Sequence, residues 1–171
     1  MRILQSIHNA DVITFQWCLK RKHRAFAVSL SRWVSFSADG PAYVILGLIL
    51  LASGHTDFAQ LLMLAFLIER GAYKVFKGSF KRNRPPESIP GYKSVIIPSD
   101  QFSFPSGHTS AAFLVTTALA ICFPGTLFYV LPWACSVGAA RVILGVHFPT
   151  DVIAGATLGT SICLLTTGFL F

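Results

Sequence analysis

From residue 41 onward the sequence is built of five apolar runs, at residues 41–53, 58–77, 109–123, 126–146 and 152–171. A bilayer core about 30 Å thick is crossed by ~20 mostly apolar residues in a helix. In lipid each backbone polar group must be satisfied within its own segment, which leaves helices as the economical solution for runs of this length. The sequence therefore predicts an all-α fold, a multi-pass transmembrane helical bundle of about five spanning helices. The first and third runs are short and must borrow flanking residues. Turn chemistry separates the segments: Asp39-Gly40-Pro41 opens the first, Ser53-Gly54-His55-Thr56-Asp57 follows it, and Pro124-Gly125 divides the third from the fourth. Composition agrees, with 53% apolar and 12% charged residues against about 25% charged in soluble domains. Disorder is excluded by the same numbers. The four cysteines, Cys18, Cys122, Cys135 and Cys163, sit in apolar stretches without paired spacing and read as small buried hydrophobes rather than a disulfide framework.

Residues 1–37 differ. Ile3, Ile7 and Ala10, then Phe26, Leu30 and Trp33, recur at helical spacing, with the basic cluster Lys20, Arg21, Lys22, His23 and Arg24 between them. No uninterrupted apolar stretch precedes a small-residue cleavage site, so a signal peptide is not expected. Two short amphipathic helices lying in the membrane interface fit this pattern, with Trp17 and Trp33 at headgroup depth. The chain thus divides into an interfacial segment, 1–37, and a transmembrane domain, 38–171.

The formal charge is +7, from 14 Lys and Arg against 7 Asp and Glu. A nucleic-acid module would gather its basic residues on a water-soluble face. Here they flank or interrupt hydrophobic runs, which points to lipid or phosphate and away from nucleic acid. No cofactor or metal is expected.

The stretch 81–104 holds Pro85, Pro86, Pro90 and Pro98 and is too polar to cross a bilayer. Loops this long inside a small domain are usually functional. Three clusters border it or lie beyond it, all at ends of apolar runs: Lys77 with Arg84-Pro85; Pro105-Ser106-Gly107-His108; and Arg141 with His147 and Asp151. Lys77, Arg84 and Arg141 supply three fixed cations for a phosphate dianion, the arginines through planar forks. Ser106 and Gly107 precede a helix whose free N–H groups favour an anion. His147 and Asp151 are four residues apart, so the carboxylate can hold the Nδ1 proton and leave Nε2 free to attack phosphorus. His108 is a second histidine, able to protonate the leaving oxygen.

The pattern Lys-x6-Arg-Pro, Pro-Ser-Gly-His, Arg-x5-His-x3-Asp resembles the type-2 phosphatidic acid phosphatase superfamily, which also includes vanadium haloperoxidases and bacterial acid phosphatases. The motifs span residues 77–151, and the flanking helices extend the resemblance over most of 41–171. The resemblance implies that His147 forms a phosphohistidine, that Asp151 orients it, and that His108 acts as acid and then as base for water. It implies that Lys77, Arg84, Arg141, Ser106 and the Gly107 N–H hold the phosphate, without metal. Ala140 stands where the family often has Ser, which removes one hydroxyl but none of the charges. Five hydrophobic runs favour the membrane lipid phosphatase branch, with phosphatidate, phosphatidylglycerophosphate or an isoprenyl phosphate or diphosphate as substrate and membrane lipids as surroundings. A phosphotransferase using the same intermediate, and a non-hydrolytic lipid-phosphate binding or transport protein, are the alternatives. The oligomeric state is left open.

Arg70, Lys74, Lys77 and Lys81 recur at steps of four, three and four and share one helical face. A basic row within an apolar run is costly unless it lines a polar cavity, so Arg70, Lys74 and Lys81 are expected along the headgroup path. With five crossings, all three motifs and the Lys20–Arg24 cluster fall on one side, and the other side carries no Lys or Arg. The positive-inside rule then places the site on the cytoplasmic face of the cell membrane. Gly155 and Gly159 form a small-residue face on the last helix, suited to close packing within the bundle.

Overall fold

The computed structural model describes residues 2–20, 24–98 and 100–170, so Arg21, Lys22 and His23 of the basic cluster lie outside the described residues. All regular structure among them is helical. Each of the five apolar runs forms a helix: α3 (Gly40–Ala52), α4 (Thr56–Phe80), α6 (Gly107–Cys122), α7 (Leu127–Ile143) and α8 (Pro149–Leu170). Ahead of them come α1 (Arg2–Leu19) and α2 (Arg24–Phe36), and the polar insert adds the one-turn α5 (Pro85–Ser88).

Among the described residues, two segments can cross a membrane unaided by length and apolar composition, Pro124–Ile143 and Pro149–Leu170. The bent pair α2–α3, with 43° between the two helices, makes a third. Neither α3, with 13 residues, nor α6, with 16, reaches across alone, because a helix rises only about 1.5 Å per residue. The 25-residue α4 is long enough but carries charge through its second half.

The bundle closes around α6 and α8. A Cβ built on Gly159 would lie 2.0 Å from the Ser110 carbonyl oxygen, and one on Gly155 would lie 2.5 Å from that of Ser106. The two backbones therefore meet directly, which only glycine permits. Leu61, Ala65, Leu114, Ala118 and Cys163 fill the core between α4, α6 and α8. A smaller cluster of Ala38, Ala112, Ala134 and Val137 seats α2 on α6 and α7. Phe15 and Phe148 tie α1 to the α7–α8 connection. Outward, the helices present large apolar side chains, Phe128 83% and Leu165 74% exposed among them, as a lipid-facing surface does.

Candidate active site

The three sequence clusters meet at one end of the bundle. Lys77 stands in the last turn of α4, Arg84 just before α5, Ser106 and His108 at the start of α6, and Arg141 in the last turn of α7. The α7–α8 connection brings in His147, and Asp151 lies in the first turn of α8. That connection turns at Gly145, with φ +79° and the Tyr92 hydroxyl only 1.8 Å from where a Cβ would sit. No other residue suits that position.

Lys77, Arg84, Arg141 and His147 are all buried; Arg84, Arg141 and His147 wall one space, and Lys77 is joined to it through Asp100. Arg84 Nη1 donates to the Val146 carbonyl at 2.6 Å and lies 3.5 Å from His147 Nε2. Arg141 Nη1 donates to Ser35 Oγ at 2.7 Å, and its Nε has no partner among the described residues. Lys77 Nζ donates to Tyr73 Oη at 2.8 Å and pairs with Asp100 at 3.1 Å. Asp100 also accepts from Arg84 and from the Tyr73 hydroxyl, so a carboxylate is seated among the cations. Burial alone would raise the Asp100 pKa; the Tyr73 hydrogen bond and the Lys77 and Arg84 charges outweigh it and hold the group below its ordinary value.

His147 presents Nε2 to this space and Nδ1 toward Asp151. The Nδ1–Oδ2 distance is 3.8 Å, longer than a hydrogen bond, and Nδ1 is otherwise unpartnered. Asp151 is held instead by the Phe148 N–H at 2.8 Å and Arg82 Nη1 at 2.7 Å. Burial pushes the His147 pKa down to about 4, with Arg84 and Arg141 adding to the effect against the opposing pull of Asp151. The ring is therefore neutral at physiological pH, as a nitrogen nucleophile must be. His108 Nε2 lies 2.8 Å from Asp39 Oδ1 at the start of α3.

A cavity of about 650 Å³ opens from this cluster. Arg84, Arg141, His147, His108, Asp100 and Gly107 line its inner end, and it continues as an apolar trough between α3 and α4 walled by Val44, Leu48, Leu51, Met63 and Phe66.

A family model, the PAP2 superfamily, matches residues 42–171. The chain belongs to the PAP2 superfamily. It is 34% identical over 140 residues to phosphatidylglycerophosphatase B of Bacillus subtilis, a match covering 75% of this chain and 66% of that protein. The chain thus spans just under two thirds of that relative's length. A crystal structure of a transmembrane PAP2-type phosphatidylglycerolphosphate phosphatase from Bacillus subtilis superposes with TM-score 0.78 at 26% identity, covering 96% of this chain and 86% of the other. LpxE of Aquifex aeolicus shares the fold, with TM-score 0.81 at 24% identity and coverage of 91% and 93%.

Within this PAP2 site the residues expected from sequence do not all fall together. Ser106 is fully buried, with Oγ 2.9 Å from Thr109 Oγ1, and is not part of the cavity wall; the neighbouring Gly107 is. Arg70 lines the cavity, but Lys74 and Lys81 are exposed and stand outside its wall. Tyr73 rather than Lys74 bridges Arg70 and Lys77 on the inner face, its ring lying under both cations. Lys81 is already the left-handed C-cap of α4.

Four residues were missed by sequence reasoning: Asp11, Asp39, Arg82 and Asp100. Arg82 joins Asp151 to Asp11 of α1, at 2.7 and 2.6 Å, and its guanidinium lies over the Phe148 ring. Asp11 also accepts from the Thr150 N–H at 3.1 Å and from the Thr150 hydroxyl. A lone acid in the amphipathic N-terminal helix was the available signal for Asp11, and one of only two acids in the Pro-rich insert, with Glu87, was the signal for Asp100.

Proposed function

We propose that this protein is a membrane-embedded lipid phosphate phosphatase acting through a phosphohistidine. The observation carrying this reading is a cavity that joins Arg84, Arg141, His108 and His147 to an apolar trough. A phosphate at its inner end and a hydrocarbon chain in its outer part describe an amphiphilic substrate.

In the proposed sequence the substrate phosphate replaces the Asp100 carboxylate between Lys77, Arg84 and Arg141, with the Gly107 N–H as a further donor. Charge-assisted bonds of this kind are about twice as strong as neutral ones, and they tighten as charge shifts to the equatorial oxygens in the transition state. His147 Nε2 forms a bond to phosphorus while the bond to the lipid oxygen breaks. His108 gives its proton to that oxygen, and Asp39 positions its ring. His108 then takes a proton from water, whose oxygen displaces Nε2 and releases inorganic phosphate. Asp151, tied down by Arg82, stabilises the Nδ1 proton once His147 carries positive charge. The cations of the cradle supply the charge that meets phosphate in this sequence.

The chain is read as multi-pass, with residues 1–37 at the membrane interface and the site on the cytoplasmic face of the cell membrane. Cysteines placed in the loop 53–57 should then react with an impermeant thiol reagent from outside only; reaction from the cytoplasm alone would invert the assignment. Activity is tested by phosphate release in detergent micelles with a chelator present, from phosphatidate, phosphatidylglycerophosphate and a polyprenyl diphosphate. Release that resists chelation and disappears in His147→Ala supports the reading, and undiminished release in the variant overturns it.

A further inference from the structure

Arg70 stands at the boundary between the cradle and the trough. Along the inner face of α4 the cavity wall reads Tyr73, Arg70, Phe66, Met63, Leu62 and then Gln60 and Ala59. Arg70 is thus the last charge that α4 gives to this wall, and from it to Gln60 the wall is apolar over about 15 Å of helix. Its position is fixed. Glu69, fully buried, accepts from Arg70 Nε at 2.5 Å and from Nη2 at 2.8 Å. The guanidinium lies 4.6 Å from the Tyr73 ring centroid, and Lys77 Nζ lies 4.7 Å from the same centroid. The two cations are therefore no more than about 9 Å apart.

A guanidinium has five N–H donors, and the side-on pair with Glu69 engages two. The remaining three, including both on Nη1, have no protein partner among the described residues, and the side chain is 46% exposed to the cavity. Beside it on the wall is Tyr43, packed on Phe66 with ring centroids 5.2 Å apart, whose hydroxyl is buried without a hydrogen-bond partner. A preorganised fork and an unpartnered hydroxyl at the mouth of an apolar trough form a second polar station beyond the leaving oxygen. A lipid with one phosphate, already held by Lys77, Arg84 and Arg141, leaves that station empty.

We infer that Arg70 is a specificity-determining residue, binding a second phosphate that lies between the transferred phosphoryl group and the hydrocarbon chain. This rests on the lipid phosphatase reading above. The second phosphate has two chemical sources: direct linkage, as in a polyprenyl diphosphate, or linkage through a small alcohol, as in phosphatidylglycerophosphate.

The test compares kcat/KM of wild type, Arg70→Gln and the double variant Glu69→Gln/Arg70→Gln on phosphatidate, phosphatidylglycerophosphate and a polyprenyl diphosphate in micelles. The double variant leaves no unpaired buried carboxylate, so it separates recognition from folding. Both variants should lose about tenfold or more against a two-phosphate lipid than against phosphatidate, mainly through KM. Arg70→Lys should recover only part, because it restores charge without the fork. The two-phosphate lipid with the larger loss identifies the spacing. Equal losses on all three lipids, or none, overturn the inference while leaving the phosphatase reading in place. No phosphate release by wild type from any of them overturns both.

Discussion

Arg82 offers the most demanding prediction, since no catalytic role was expected of it. Replacing it with Gln removes the one cation between Asp11 and Asp151, whose side chains are 2% and 0% exposed. Each carboxylate keeps backbone help, Asp151 from Phe148 N–H and Asp11 from Thr150 N–H, but two buried anions then face one another. Removing one partner of a buried ion pair costs about 3–5 kcal/mol. Arg82 is 20% exposed, so water enters the gap and the lower end applies, about 3 kcal/mol. At about 2–4 °C per kcal/mol for a chain of this size, Tm should fall by roughly 6–12 °C. Thermal unfolding in detergent micelles at pH 7 measures it. Asp11→Asn added to Arg82→Gln should restore at least about 1 kcal/mol, because it relieves one of the two anions. A Tm within about 2 °C of wild type, with no coupling to Asp11, would refute the reasoning.

Further expectations concern three other positions. Folded His147 binds its proton only near pH 4, whereas the unfolded chain binds one at about 6.5. The unfolded state therefore holds more protons between these values, and stability falls as pH falls through this window. Wild type should lose about 2–3 kcal/mol between pH 8 and pH 4.5 that His147→Asn does not lose; the same loss in both proteins counts against a buried neutral ring. Gly159→Ala should cost roughly 1–3 kcal/mol or more, since its Cβ meets backbone atoms 2.0 and 2.9 Å away. Gly168→Ala, with nothing within 4 Å, is the matched control and should be neutral or slightly stabilising. Asp100→Asn removes the carboxylate that competes for Lys77 and Arg84, so inorganic phosphate should inhibit more tightly; weaker inhibition would show that Asp100 organises the cradle rather than occupying it.

What the sequence disclosed and what it withheld divide along physical lines. The helices were legible because lipid demands long apolar runs, and Asp39-Gly40-Pro41, Ser53–Asp57 and Pro124-Gly125 end them by local backbone chemistry. That Lys77, Arg84, His108, Arg141, His147 and Asp151 gather at one end of the bundle was legible because they sit at fixed offsets from those ends. The carboxylates were not. Asp11 reaches Arg82 across 71 positions, Asp39 reaches His108 across 69, and Asp100 reaches Tyr73 across 27. No local period reports such contacts. The helical pattern identified α1 as amphipathic, but did not say that its one acid would bond Thr150, three residues beyond His147. The same limit explains Lys74: periodicity placed it near Arg70, and only packing decided which of Tyr73 and Lys74 faces inward.

The central claim is that His147 Nε2 bonds to phosphorus. The most direct measurement is acid-labile, base-stable phosphate on the protein after rapid quench with a radiolabelled lipid phosphate, comparing wild type with His147→Asn and His108→Asn. Label in wild type, slower to appear and slower to decay in His108→Asn, and none in His147→Asn is the predicted result. Label that persists in His147→Asn, or turnover in wild type with no label at any quench time, would contradict it.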